Sequence, residues 1–78
     1  MPVYPSKKAG EMLALLFGLG YAIKRQNGSH RHLECVGRGR ILFSYHEGAT
    51  IPPGVVRKIL RDAGLSETEA AALLGLKG

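Results

Sequence analysis

The chain holds three histidines, His30, His32 and His46, and the first follows a Gly28-Ser29 pair of turn-forming composition. A histidine just past a tight turn is reached by solvent, and an imidazole exchanges protons near neutral pH. Cleavage of RNA asks for little more than this. RNA brings its own nucleophile, the ribose 2′-hydroxyl. The reaction then needs a base for that hydroxyl, an acid for the departing oxygen, and cations for the charge that grows on phosphorus. His30 can serve as base or acid, with His46 or His32 as its complement, and Lys24 and Arg31, close in sequence or pairing, are candidate phosphate contacts. By residue type and spacing alone the signal is weak, because a surface histidine is far more often just a solvated side chain. A metal-dependent route has little to build on, because one cysteine and three scattered histidines make a poor ligand set; no metal and no other cofactor is expected.

The elements that must hold these residues can be read from pattern. Ser6 is placed to cap a first helix running to about residue 18, with Leu13, Leu16 and Gly20 along one row and Met12 and Leu15 beside it. Gly18 and Gly20 end it. Three segments rich in β-branched and aromatic residues follow, 21–25, 29–36 and 40–46, separated by Gln26-Asn27-Gly28 and Gly37-Arg38-Gly39. A two-residue Asn27-Gly28 loop would set Tyr21 against Glu34 and Ile23 against His32, with charge toward the core. A three-residue loop with Gly28 in a G1 bulge pairs Tyr21 with Leu33 and Ile23 with Arg31, and the buried face selects it. A second three-residue loop pairs Leu33 with Phe43 and Cys35 with Ile41. One face then carries Tyr21, Ile23, Leu33, Cys35, Ile41, Phe43 and Tyr45. The opposite, open face carries Lys24, His30, His32, Ser44 and His46, with His30 across from His46 and His32 across from Ser44.

After Pro52-Pro53-Gly54 a second helix runs to Ala63, burying Val56, Ile59, Leu60 and Ala63 and exposing Arg57, Lys58 and Arg61. Gly64 suits its C′ position, with Leu65 placed for a Schellman contact. Ser66-Glu67-Thr68-Glu69 is a capping box opening a short Ala/Leu helix to about Leu74. That last segment reads like the start of a helix-turn-helix, but no recognition helix follows it, so it is expected to pack rather than read DNA. The fold class is therefore α+β: a two-layer α-β-β-β-α domain, a three-stranded antiparallel meander with both main helices on one face. The whole of 1–78 is expected to form a single domain, with 1–7 as an N-terminal tail and 66–78 as a short C-terminal helix and tail.

A chain of 78 residues has a thin core and one cysteine, Cys35, so no internal disulfide can staple it. A reducing setting suits it, and Cys35 reads as a small buried hydrophobe. The net charge of +5 and pI near 9.8 point to an anionic partner, a nucleic acid or an acidic protein surface. No apolar run reaches the length of a membrane span, and the first residues lack a signal-peptide pattern, so the expected location is the cytoplasm, away from any membrane.

Two ordered blocks carry a family resemblance. Gly20-Tyr21, then Arg25-Gln26-Asn27-Gly28-Ser29-His30, resembles the "GF…R-x-x-GSH" segment of HicA-type (YcfA-like) toxins. Ile51, then Gly54-Val55-Val56-Arg57-Lys58-Ile59-Leu60-Arg61-Asp62-Ala63-Gly64-Leu65, is similar to that family's "I-x-x-G-T-L-R-x-I-L-K-Q-A-G-L". Tyr45-His46 falls where the family's third strand ends in a histidine, and the likeness spans about residues 8 to 65. It implies a double-stranded-RNA-binding-like fold, metal-independent cleavage of mRNA, and a HicB-type antitoxin as partner. His30 is implied as the catalytic residue, with Gly28 and Ser29 shaping the turn that presents it and His46 in a supporting place. Lys24, Arg31, Arg57, Lys58 and Arg61 are candidate RNA contacts, although the antitoxin is a rival claimant for the charges of the second helix. The chain departs from the pattern at Leu33 (an aromatic in the family), Ser44 (proline), Val55 (threonine), and Phe17 and Leu19 (often charged). The last two are either helix-end packing or a patch the antitoxin covers. Other functional classes remain in view: a basic module that binds RNA without cutting it, or a subunit that only grips an acidic partner.

Overall fold

A computed structural model of the chain describes residues 4–46 and 48–76. The expected tail positions 1–3 and 77–78 lie outside the described residues. The order is β1 (Lys7–Lys8), α1 (Ala9–Gly18), β2 (Ala22–Asn27), β3 (His30–Glu34), β4 (Ile41–Phe43), β5 (Thr50–Ile51), α2 (Pro53–Asp62) and α3 (Glu67–Leu74). Strands β2, β3 and β4 form the antiparallel meander in that order, while β1 and β5 make a separate two-stranded ladder. Met12, Leu13 and Leu16 of α1, Val56, Ile59 and Leu60 of α2, and Leu33, Ile41 and Phe43 of the sheet meet in one buried cluster. Two helices thus cover one sheet face. This is the two-layer α+β arrangement expected from the apolar pattern.

The helix ends follow their local chemistry. At the end of α1, Gly20 takes φ +106° and its N–H reaches Phe17 O at 3.0 Å, while Tyr21 N–H reaches Leu16 O at 3.1 Å. Those two bonds make a Schellman closure, and Tyr21 and Leu16 are both buried beneath it. The same pair recurs after α2, from Gly64 to Arg61 and from Leu65 to Leu60. The Ser66 hydroxyl accepts from Glu69 N at 3.1 Å, and the Glu69 carboxylate accepts from Ser66 N at 2.9 Å, completing the expected capping box of α3. The start of α1 differs from expectation. Ser6 is not its cap; Lys8 holds that position, and its backbone N–H donates to the Glu11 carboxylate at 3.1 Å. The reason is pairing that composition does not reveal. Lys7 and Lys8 bond across to Ile51 and Thr50, and Ala9 N–H reaches Ala49 O at 2.9 Å. Of the expected tail, Lys7 is accordingly tied down by pairing with Ile51, and Tyr4 joins the core.

The sheet register corrects the sequence reading in both hairpins. Asn27 pairs with His30, Gln26 with Arg31 and Arg25 with His32, so the first loop is the two-residue Gly28-Ser29 and not Gln26-Asn27-Gly28. Gly28 has φ +58° and no other residue type in the described chain has positive φ. Glycine first and an ordinary residue second is the sign pattern of a type II′ hairpin loop, whose twist matches that of the strands. Carried on unbroken, this register would set Ile23 against Glu34. A β-bulge at Lys24 absorbs one residue instead, and Ile23 faces Leu33. Turn chemistry and core face are thereby both satisfied. In the second hairpin Leu33 pairs with Ile41, His32 with Leu42 and Arg31 with Phe43, a shift from the expected Leu33–Phe43 and Cys35–Ile41 pairs. The longer connection is held elsewhere: the Tyr21 hydroxyl donates to Gly39 O at 2.6 Å and Arg38 Nη1 to Ala63 O at 3.1 Å. Gly39 also lies so close to Asp62 O that a Cβ there would stand 2.5 Å from it.

Of the expected core face, Tyr21, Leu33, Ile41 and Phe43 are buried, and Cys35 and Tyr45 pack partly against them. Ile23, on the edge strand β2, is exposed instead. Val56, Ile59, Leu60 and Ala63 are the buried stripe of the second helix, as its periodicity requires. Leu19 packs against the core, whereas Phe17 is exposed.

Candidate functional site

The turn between β2 and β3 sets the position of His30. Gly28 supplies the left-handed residue, Gln26 Nε2 donates to Gly28 O at 3.2 Å across the loop, and Ser29 is half-buried beside it. His30 is the first residue of β3 and is exposed. Strand alternation places His32 on the same face, also exposed, and that face carries no helix.

The cross-strand partners differ from those expected. His32 stands opposite Leu42, not Ser44, and the β3–β4 ladder ends at Arg31–Phe43 before His30 gains a partner from that side. His30 pairs with Asn27, not His46. His46 lies past the end of β4, exposed, where its carbonyl accepts from Ala49 N at 2.9 Å in a turn. Arg31 links these pieces. Its position in β3 points it away from the His30 face, and Nη1 donates to Tyr45 O at 3.2 Å. The Tyr45 ring meets Phe43 edge-on, centroids 5.8 Å apart, so the chain just before His46 is anchored both by packing and by the guanidinium.

The bulge has a consequence for charge. Alternation from Ile23 puts Lys24 on the open face, and the shifted register puts Arg25 there as well, opposite His32. Two consecutive cations therefore share one face, which an unbroken strand cannot arrange. They border a depression of about 350 Å³ with His32, Leu42 and Arg40, where the Arg40 Nε lies 4.0 Å from the Glu34 carboxylate. Arg25, Arg40 and Leu42 were not among the residues singled out by spacing. Nothing in the sequence marks them, because their grouping depends on a one-residue slip in pairing.

The basic side of α2 is partly neutralised. Arg57 is ion-paired with Glu67 and lies over the Tyr4 ring, 5.8 Å from its centroid; Lys58 Nζ bonds Asp62 Oδ2 at 3.2 Å. Arg61 is exposed and has no ion-pair partner among the described residues. Among the described residues no group of three or more His, Cys, Asp or Glu side chains is placed to hold a metal ion, and no helix is long and apolar enough to cross a membrane.

A family model described as "HicA toxin of bacterial toxin-antitoxin" matches residues 9–65, from the start of α1 to the Schellman closure of α2. No curated protein and no solved structure matches the chain.

Proposed function

The chain belongs to the HicA toxin family of bacterial toxin–antitoxin systems, and from that premise we propose that it is a metal-independent endoribonuclease acting on mRNA in the cytoplasm and silenced by a HicB-type antitoxin. The observation that carries the reading is the placement of His30: an exposed imidazole at the first position of β3, on a turn fixed by a left-handed glycine, inside the matched region.

In the proposed reaction a base takes the proton of a ribose 2′-hydroxyl, and the 2′-oxygen forms a bond to the adjacent phosphorus. The bond from phosphorus to the 5′-oxygen breaks, and an acid gives that oxygen a proton. The products are a 2′,3′-cyclic phosphate and a 5′-hydroxyl. His30 performs one of the two proton transfers. His46 is the candidate for the other, with Arg31 holding the chain before it through Tyr45 O. Ser29 and Gly28 keep the turn, and Lys24 is a cation available to an RNA phosphate on the same sheet face. Arg61 is the remaining α2 cation open to an RNA phosphate or an acidic antitoxin surface. The test is direct: purified protein given end-labelled RNA with excess EDTA cuts it and leaves 5′-hydroxyl ends. Cutting that stops with EDTA contradicts the mechanism, and RNA that is bound but never cut would make the protein a binding module.

A further inference from the structure

The open sheet face holds a cluster of cations beside an uncovered apolar side chain. Lys24 and Arg25 reach it together through the bulge, and among the described residues neither has an ion-pair partner. Across from Arg25 stands His32, and across from His32 stands Leu42, 56% exposed. Arg40 closes the far side of the depression beside the Glu34 carboxylate, 4.0 Å from it, so Lys24 and Arg25 are the cations left for a phosphate. His32 lies two residues from His30 on one strand face, about 6.6 Å along the strand at the usual rise.

We propose that this depression is a subsite for single-stranded RNA, holding the phosphate and base of a nucleotide next to the one cleaved at His30. The assignment rests on the ribonuclease reading above and adds to it the path of the substrate. Lys24 and Arg25 take the phosphate, and the exposed Leu42 gives an unstacked base an apolar surface to lie on. A base inside a duplex cannot reach that surface, which is why the ligand is a single strand. The depression is open to solvent, as a path for a continuous chain must be. The α2 face suits an RNA backbone less well, since carboxylates already engage Arg57 and Lys58.

The experiment uses the full chain with His30→Ala, so that RNA stays intact, and a fluorescein-labelled single-stranded oligoribonucleotide read by anisotropy across a salt series. Adding Lys24→Gln and Arg25→Gln removes two phosphate contacts. Affinity at low salt is expected to fall roughly ten- to a hundredfold, and the slope of log K against log salt to become shallower by about 1.4. Leu42→Ala weakens binding with the slope unchanged, because an apolar contact releases no counterion. An unlabelled duplex competes poorly. Circular dichroism checks each fold, and Lys24→Gln and Arg25→Gln taken singly, each expected to make the slope shallower by about 0.7, stand in if the double variant unfolds. The subsite is overturned if the double variant binds like its parent, or if Arg57→Gln with Lys58→Gln costs more affinity. It is equally overturned if the double variant keeps RNA but loses an acidic protein partner. Cleavage by the unsubstituted chain separates the two claims: cutting with an inert Lys24/Arg25 pair sinks the subsite alone, and neither cutting nor binding sinks both.

Discussion

Gly28 offers a substitution whose cost can be worked from geometry. Its φ is +58°, and a Cβ added there meets no atom within 4 Å. Crowding therefore contributes nothing, and the whole penalty of Gly28→Ala is the backbone's. Holding an L-residue in the left-handed region costs about 1–2 kcal/mol. A domain of this size loses about 4–8 °C of Tm per kcal/mol, so Gly28→Ala should melt lower by roughly 4–16 °C. Asparagine tolerates the left-handed region better, and Gly28→Asn should recover a good part of the loss despite its larger side chain. Urea and thermal unfolding by circular dichroism measure both. Cleavage is assayed on the same samples well below either Tm, where Gly28→Ala is expected to cut more slowly because the turn no longer fixes the approach of His30. Equal stability of all three proteins, or an asparagine variant weaker than the alanine one, would refute the left-handed turn and with it the account of how His30 is displayed.

Further outcomes follow from the hydrogen bonds. Tyr21→Phe removes the bond to Gly39 O and should cost about 1 kcal/mol in urea unfolding. Burial also raises the Tyr21 phenol above its ordinary value of about 10. A raised acid contributes stability that is complete below about pH 10 and is lost as pH climbs through the folded value, so the variant should show a shallower alkaline decline. The Ser66 backbone N–H, and then its hydroxyl, hold the Glu69 carboxyl below the usual range. That contribution is present above about pH 4.3 and disappears as pH falls through the lowered value, so Glu69→Gln should flatten the acid limb of the stability curve. Arg31→Ala should free the segment before His46, seen as altered His46 imidazole resonances by NMR, with slower cleavage and unchanged RNA affinity at the sheet face.

Much of this fold was legible because apolar spacing and end signals agreed. The α2 stripe, the Gly64 closure and the Ser66 box each rest on residues within one or two turns of one another, where local chemistry decides the outcome. The β1–β5 ladder was not legible: Lys7 and Lys8 have no strand character of their own, and their pairing with Thr50–Ile51 is a long-range event. Register failed for a subtler reason. The core face and the tight turn demanded different parities, and a three-residue loop was one solution; the bulge at Lys24 is the other. His30 was legible, since either solution leaves it on the open face just after the glycine turn. The company it keeps was not, because moving the slip from the loop to Lys24 brings Arg25 to that face, and the separate shift of the second hairpin takes His46 out of line with His30.

The claim on which the rest depends is that His30 transfers a proton during RNA cleavage. The direct measurement is the cleavage rate of the purified chain against His30→Ala, in EDTA, with the fold of both followed by circular dichroism. The account predicts two superimposable spectra and cleavage by the unsubstituted chain alone. Equal cleavage by both proteins would contradict it.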